Sequence, residues 1–177
     1  MKRAFVISIM AMLIYAPVYA GDIEGRATVV DGDTIAIEGA DSRIRLWGID
    51  APEGRQTCEN VKGRRYLCGP RAAGSLAKII GRNGRVICRE KGRDRYRRIV
   101  AICMAGGRDI GEEMVRRGWA VDYPEYSEKA YAALENEART ARRGLWSGKF
   151  ILPWRWRAGE RLSSEQNGDG QKNLPRG

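Results

Sequence analysis

The chain has 177 residues, with 32 lysines and arginines against 22 aspartates and glutamates, a formal net charge of +10 and no histidine. So basic a balance favours a polyanionic partner such as nucleic acid, an acidic polysaccharide or an anionic surface, and the length suits one domain with one core. The absence of histidine, with no cysteine pair spaced like a zinc knuckle, argues against a zinc site and disfavours transition metals generally.

Lys2 and Arg3 precede an apolar run from Ala4 to Tyr15, and Val18-Tyr19-Ala20 ends in a small residue before Gly21. This is the pattern of a secretory signal peptide, residues 1–20, and the run is short for a membrane span. No later apolar stretch approaches spanning length. The expected mature protein is therefore secreted or periplasmic, off the membrane and monomeric, with no stable protein partner implied. Its four cysteines, Cys58, Cys68, Cys88 and Cys103, all fall in the exported part and favour two disulfides. Three pairings are possible, and the local one, 58 with 68 and 88 with 103, is preferred.

Residues 22–30 and 34–38 read as strands around the turn Asp31-Gly-Asp-Thr34, and Arg43 to Ile49 as a third strand after a turn at 39–42. Along that third strand Arg45 and Asp50 have opposite parity. They can serve one site only if the strand bends between them, and Gly48 offers the bend. Pro70 is expected to open a helix, with Ala73, Leu76, Ala77 and Ile80 as its apolar stripe and Gly81 as its stop. A hairpin of residues 85–91 and 98–104 follows. If Cys88 faces Cys103, residue 93 faces 98 and Asp94 to Arg97 form a four-residue connection. Its tip is cationic, with Lys91, Arg93, Arg95, Arg97 and Arg98.

Asp109 is placed to cap a short helix ending at Gly118, with Glu112 completing an acidic capping box. A longer helix is expected over 127–143, with Ala130, Tyr131, Leu134, Ala138 and Ala141 inward and Gly144 at its end. The domain is read as 21–157 and the polar, glycine-rich residues 158–177 as a disordered tail. Trp154 and Trp156, interleaved with Arg155 and Arg157, read better as a hydrophobic edge than as stacking platforms. Three strands, a helix, two strands and two helices in one small domain give an α+β plan, a five-stranded Greek-key barrel of the OB-fold class. That class commonly offers a groove to nucleic acid.

The stretch from Val29 to Glu53 collects Asp31, Asp33, Asp50 and Glu53 with Arg45. Asp33 and Asp50 can supply oxygens to a hard divalent cation, calcium or magnesium. Glu53 is close enough to orient or deprotonate a water, Arg45 and Arg98 offer forked donors to phosphate, and Asp31 reads as a turn residue. Together these parts fit metal-assisted phosphodiester hydrolysis.

Four stretches, VVDGDTI at 29–35, RLWGIDAPE at 45–53, DRYRR at 94–98, and EEMVRRGWA at 112–120 through EARTARRGLWS at 137–147, make the chain resemble the staphylococcal nuclease (thermonuclease) family. The resemblance covers nearly the whole domain. It implies an OB-fold with three α-helices and a calcium (Ca2+)-dependent nuclease that cuts DNA and RNA to 3′-phosphate ends. It also implies Arg45, Glu53 and Arg98 as catalytic residues, and Asp33 and Asp50 as calcium ligands beside the carbonyl of Ala51. Tyr96 would contact the nucleotide phosphate, and Tyr123 and Tyr126 would stack on bases.

The sequence departs from the best-known member at Ala51, which replaces a threonine, at Arg97, which replaces a glycine, and in its four cysteines. None of these removes a catalytic group. The alternative is a non-catalytic OB-fold module that binds nucleic acid or acidic polymers; the presence of Glu53 and both arginines weighs against it.

Overall fold

The computed structural model describes residues 21–165. The expected signal peptide and the part of the expected tail beyond Glu165 lie outside the described residues. In chain order the elements are β1 (Ile23–Val29), β2 (Thr34–Ile37), β3 (Ile44–Leu46), β4 (Ile49–Asp50), the small hairpin β5 (Thr57–Glu59) and β6 (Arg65–Leu67), and α1 (Cys68–Ile80). The long strands β7 (Arg85–Arg93) and β8 (Ile99–Ala105) follow, then β9 (Arg108–Asp109), α2 (Ile110–Arg116), β10 (Val121–Asp122), α3 (Pro124–Ser127), α4 (Ala132–Thr140), a 3₁₀ turn over Gly144–Ser147 and α5 (Pro153–Arg157).

The sheet runs in the order β3-β2-β1-β7-β8-β9, and a parallel pairing of β3 with β8 closes its first five strands into a barrel. The α+β, OB-type architecture is as expected. Alternation sends one face of each strand inward: Ile35, Ile44, Leu46, Val86, Ile99 and Ala101 are fully buried or nearly so, which suits a small barrel filled by aliphatic side chains. Helices α1 and α2 pack on each other, and α2 packs also on β8 and on α4. Among the described residues no helix is long and apolar enough to cross a membrane.

Both expected disulfides are present. Cys88 lies directly opposite Cys103 inside the barrel, and Cys58–Cys68 ties β5 to the start of α1. The 88–103 register does not carry through to the hairpin tip. Lys91 is an extra residue in β7, a bulge between Glu90 and Gly92, so Arg93 faces Ile99 rather than Arg98. The connection therefore runs from Asp94 to Arg98, one residue longer than the sequence spacing suggests.

Helix α1 starts two residues before Pro70, because the Cys68 backbone N–H already donates to Gln56 O at 3.0 Å. Its buried face is turned by about one residue: Leu76 and Ile80 are inside as expected, but Ala72 and Ile79 take the places of Ala73 and Ala77. The cause is the β1–β2 turn. A Cβ added at Gly32 would lie 2.8 Å from Ala72 Cβ, so this glycine and this alanine meet face to face.

Asp109 caps α2, its Oδ1 accepting from the backbone N–H groups of Gly111 (2.7 Å) and Glu112 (3.2 Å). Glu112 turns instead to Arg116, so the reciprocal half of the capping box is not formed. The helix expected over 127–143 is α4 alone, and Ala130 and Ala141 fall outside it on the surface. Glu128 and Lys129 adopt left-handed φ angles of +53° and +68°, which stops a helix from starting at Ser127. The driver is Asp122, only 4 % exposed. Its Oδ1 accepts from Ser127 Oγ at 2.6 Å and from the Tyr131 N–H at 3.3 Å, so the chain folds around a buried carboxylate. Asp122→Ala should leave those donors without their partner and lower the unfolding free energy by about 2–3 kcal/mol, measured by denaturant titration.

Candidate active site

The β1–β2 turn sets Asp33. Asp31 Oδ1 accepts from the Asp33 backbone N–H at 3.0 Å, so Asp31 organises the turn. Its carboxyl is pushed up to about 6, first by burial and then by the charge of Asp33. Asp33 itself is gripped from three sides: Thr34 Oγ1 and Arg45 Nη1 reach its carboxylate at 2.9 and 3.1–3.2 Å, and the Ala51 N–H reaches Oδ2 at 3.2 Å.

Arg45 and Asp50 do meet. Gly48 has φ +71°, the bend that the parity of the strand demands, and a Cβ there would lie 2.9 Å from Tyr131 Cε2. Beyond the bend, β4 pairs with β10, Asp50 facing Val121. Arg45 Nη2 then donates to Asp50 Oδ1 at 2.8 Å while Nη1 holds Asp33, so one guanidinium spans two carboxylates.

The Asp50 side chain has no exposure at all, and burial pushes its pKa up against the pull of its arginine partners. Burial alone would lower the pKa of Arg45, but Asp33 and Asp50 reverse this and raise it.

Glu53 follows on a loop held by Gln56, which is fully buried. Gln56 Oε1 accepts from the Glu53 N–H at 3.2 Å, the Gln56 N–H donates to Glu53 O at 2.8 Å, and Gln56 Nε2 donates to Ile151 O at 2.6 Å. A Cβ at Gly69 would strike the Glu53 carbonyl, so α1 can support this loop only with glycine at its second position.

The hairpin delivers Arg98. Its Nε and Nη2 both lie 2.7 Å from Asp94 Oδ2, and its backbone N–H donates to Asp94 Oδ1 at 3.0 Å. Although burial acts the other way, these bonds hold the Asp94 carboxyl below its ordinary value. Arg97 takes φ +65°, an angle that favours glycine, and is exposed and outside the groove; its carbonyl accepts from Ser42 Oγ at 3.1 Å.

A groove of about 750 Å³ is lined by Asp33, Arg45, Ala51 and Glu53 on one side and by Tyr96, Arg98, Tyr123 and Tyr126 on the others, with Lys91, Arg93 and Arg95 along its basic rim. Asp50 lies beneath its floor. Every residue expected at the site is thus gathered at one place, although Arg98 holds Asp94 rather than any of the three acids. Among the described residues no three acidic, histidine or cysteine side chains gather into a metal-holding cluster of their own.

One groove residue, Arg157, escaped the reading of the sequence. Arg157 donates from Nη1 and Nη2 to Asp50 at 3.0 and 2.8 Å, and from Nη1 to Glu53 Oε1 at 2.7 Å. Despite a burial penalty, these carboxylates raise its pKa. Trp154 stacks on Tyr123, with ring centroids 5.1 Å apart and planes 2° from parallel, and Tyr126 meets Tyr123 edge-on at 4.7 Å. The Trp-Arg-Trp-Arg alternation reads as a hydrophobic edge, and nothing in it points 107 residues back to Asp50.

The family model described as "Staphylococcal nuclease homologue" matches residues 43–148, a stretch that holds Arg45, Asp50, Glu53 and Arg98 and stops short of Arg157. The chain is 37 % identical over 128 residues to the succinoglycan biosynthesis protein ExoI of Rhizobium meliloti (strain 1021), covering 72 % of this chain and 66 % of that protein. It is 37 % identical over 147 residues to an uncharacterized endonuclease of Escherichia coli, covering 80 % and 89 %. It is 36 % identical over 122 residues to the staphylococcal-like nuclease CAN1 of Arabidopsis thaliana, covering 67 % of this chain and 34 % of the plant protein.

The geometry makes one demand independent of function. Gly48→Ala would force a side chain into a left-handed backbone and against Tyr131, and should lower the unfolding free energy by roughly 2 kcal/mol; an unchanged denaturation midpoint would refute the need for glycine there.

Proposed function

The chain belongs to the staphylococcal nuclease family, and from that premise we propose that it is an exported, monomeric, calcium-dependent nuclease that hydrolyses DNA and RNA with little sugar specificity and leaves 3′-phosphate ends. The observation that carries this reading is the meeting of Asp33, Arg45, Glu53 and Arg98 around one groove with a basic rim. The two disulfides support export, since such bridges persist outside a reducing cytoplasm.

The donors present suit a hard cation. Asp33 and Asp50 lie within the reach of one guanidinium, the Ala51 main chain is bonded to Asp33, and every candidate donor is oxygen. Asp33, Asp50 and the Ala51 carbonyl would hold the ion, with waters completing its shell. When bound, calcium would supply Lewis-acid stabilisation of charge on the phosphate oxygens.

The remaining roles belong to the chain. Glu53, half-exposed at the groove wall, is the general base that takes the proton of the attacking water. Arg45 and Arg98, both lining the groove, offer guanidinium donors to the phosphate and to the charge that builds on it. Asp94 keeps the Arg98 fork aimed by holding its Nε and Nη2. The exposed Tyr96 stands beside Arg98 to meet a nucleotide phosphate, and the Tyr123–Tyr126 pair, backed by Trp154, offers a face to a base. Lys91, Arg93 and Arg95 attract the backbone of either nucleic acid without reading sequence.

Purified protein should degrade single-stranded DNA and RNA with calcium and stop when chelator is added. Glu53→Ala or Arg98→Ala should each reduce the rate by roughly a hundredfold or more. Wild-type protein that binds nucleic acid in a salt-sensitive way without cutting it would show a binding module instead.

A further inference from the structure

Asp50 is saturated. Its Oδ1 accepts from Arg45 Nη2 (2.8 Å) and Arg157 Nη1 (3.0 Å), and its Oδ2 from Arg157 Nη2 (2.8 Å), with no exposure left to solvent. Glu53 Oε1 is shared with the same Arg157 nitrogen at 2.7 Å. A carboxylate so occupied has no free face for another cation. The two arginines differ in their freedom to leave: the Arg45 side chain is 17 % exposed, whereas that of Arg157 is 36 % exposed and extends from the last residue of α5.

The backbone that carries Arg157 is fixed independently. Trp154 stacks on Tyr123, and Ile151 O accepts from Gln56 Nε2 at 2.6 Å. The guanidinium can therefore swing out by side-chain rotation alone, without moving α5. Charge favours that exchange. In the linked set Asp33, Asp50, Glu53 and Arg45, three negative charges face one positive, a balance that a divalent cation neutralises. With Arg157 added, the set is already largely compensated.

We propose that Arg157 is a positioning residue that acts as a tethered cation: it occupies Asp50 and Glu53 when no metal is bound, and a divalent cation binds only as its guanidinium withdraws. This rests on the reading of Asp33 and Asp50 as calcium ligands. Arg157 thereby keeps the metal-free site ordered and lowers its apparent affinity for calcium, because only the fraction of molecules with Arg157 withdrawn is competent to bind.

Calcium affinity of the full chain, measured by titration calorimetry in the absence of nucleic acid, tests this. Arg157→Gln should bind calcium roughly ten- to hundredfold more tightly than wild type, while its metal-free form melts at a lower temperature. Arg157→Lys, which keeps the charge but not the fork, should fall between the two. Unchanged or weaker binding in Arg157→Gln overturns the proposal.

The wild-type chain gives a second readout that does not depend on any variant folding. The guanidinium NMR signal of Arg157 should lose its protection from solvent exchange as calcium is added, and a signal unmoved at saturation also overturns the proposal. Wild type that binds no calcium at all removes the calcium reading itself. Wild type that binds with the same affinity as Arg157→Gln removes only the role given to Arg157.

Discussion

A carboxylate with no exposure cannot stay charged without partners, and Asp50 is the group on which this site depends. Its partners come from two places: Arg45 from the strand just before it and Arg157 from the far end of the domain. Around it, three separate devices converge. Gly48 turns β3 into β4, β10 pairs with β4 so that the helical layer grips the Asp50 backbone, and Gln56 joins the Glu53 loop to the segment that leads into α5. Each is a backbone or amide arrangement with little latitude, and together they bring an alternating row of charges, Asp33, Arg45, Asp50, Arg157 and Glu53, to the groove, with Asp50 beneath its floor.

Much of this was legible because it is local. The Asp31-Gly-Asp turn, the bend at Gly48, the Asp109 cap, the stop at Gly81 and the 88–103 bridge all follow from residues within a few positions of each other, or from strand parity. The misreadings have tertiary causes. Glu128 and Lys129 take left-handed angles only because buried Asp122 draws Ser127 and Tyr131 to itself. The α1 face turns because Gly32 meets Ala72, and the hairpin shifts by one because Lys91 bulges out of the ladder. Arg157 was the hardest to see. Its alternation with tryptophan suggested an edge to be covered, and only the closed domain brings it to Asp50.

The hairpin tip illustrates how small irregularities aim a side chain. The bulge and the five-residue loop give Asp94 room to accept from the Tyr96 and Arg98 backbone and still hold the Arg98 fork. Arg97 takes a left-handed angle within that loop, and its guanidinium stays clear of the groove. Aromatic support comes from elsewhere: Trp154, from α5, backs Tyr123, so the same short helix serves both the aromatic face and the carboxylate row.

The parallel pairing of β3 with β8 joins residues far apart in the chain, Ile44 with Ile99 and Arg45 with Val100. Loop-closure entropy makes such a distant pairing more demanding than the neighbouring hairpins, each of which can form locally. Arg45 stands on one lip of this seam, and Arg98 immediately precedes the strand on the other. An open barrel therefore holds no partial version of the groove: Arg45 and Arg98 come to line one groove only in the molecule whose seam has closed.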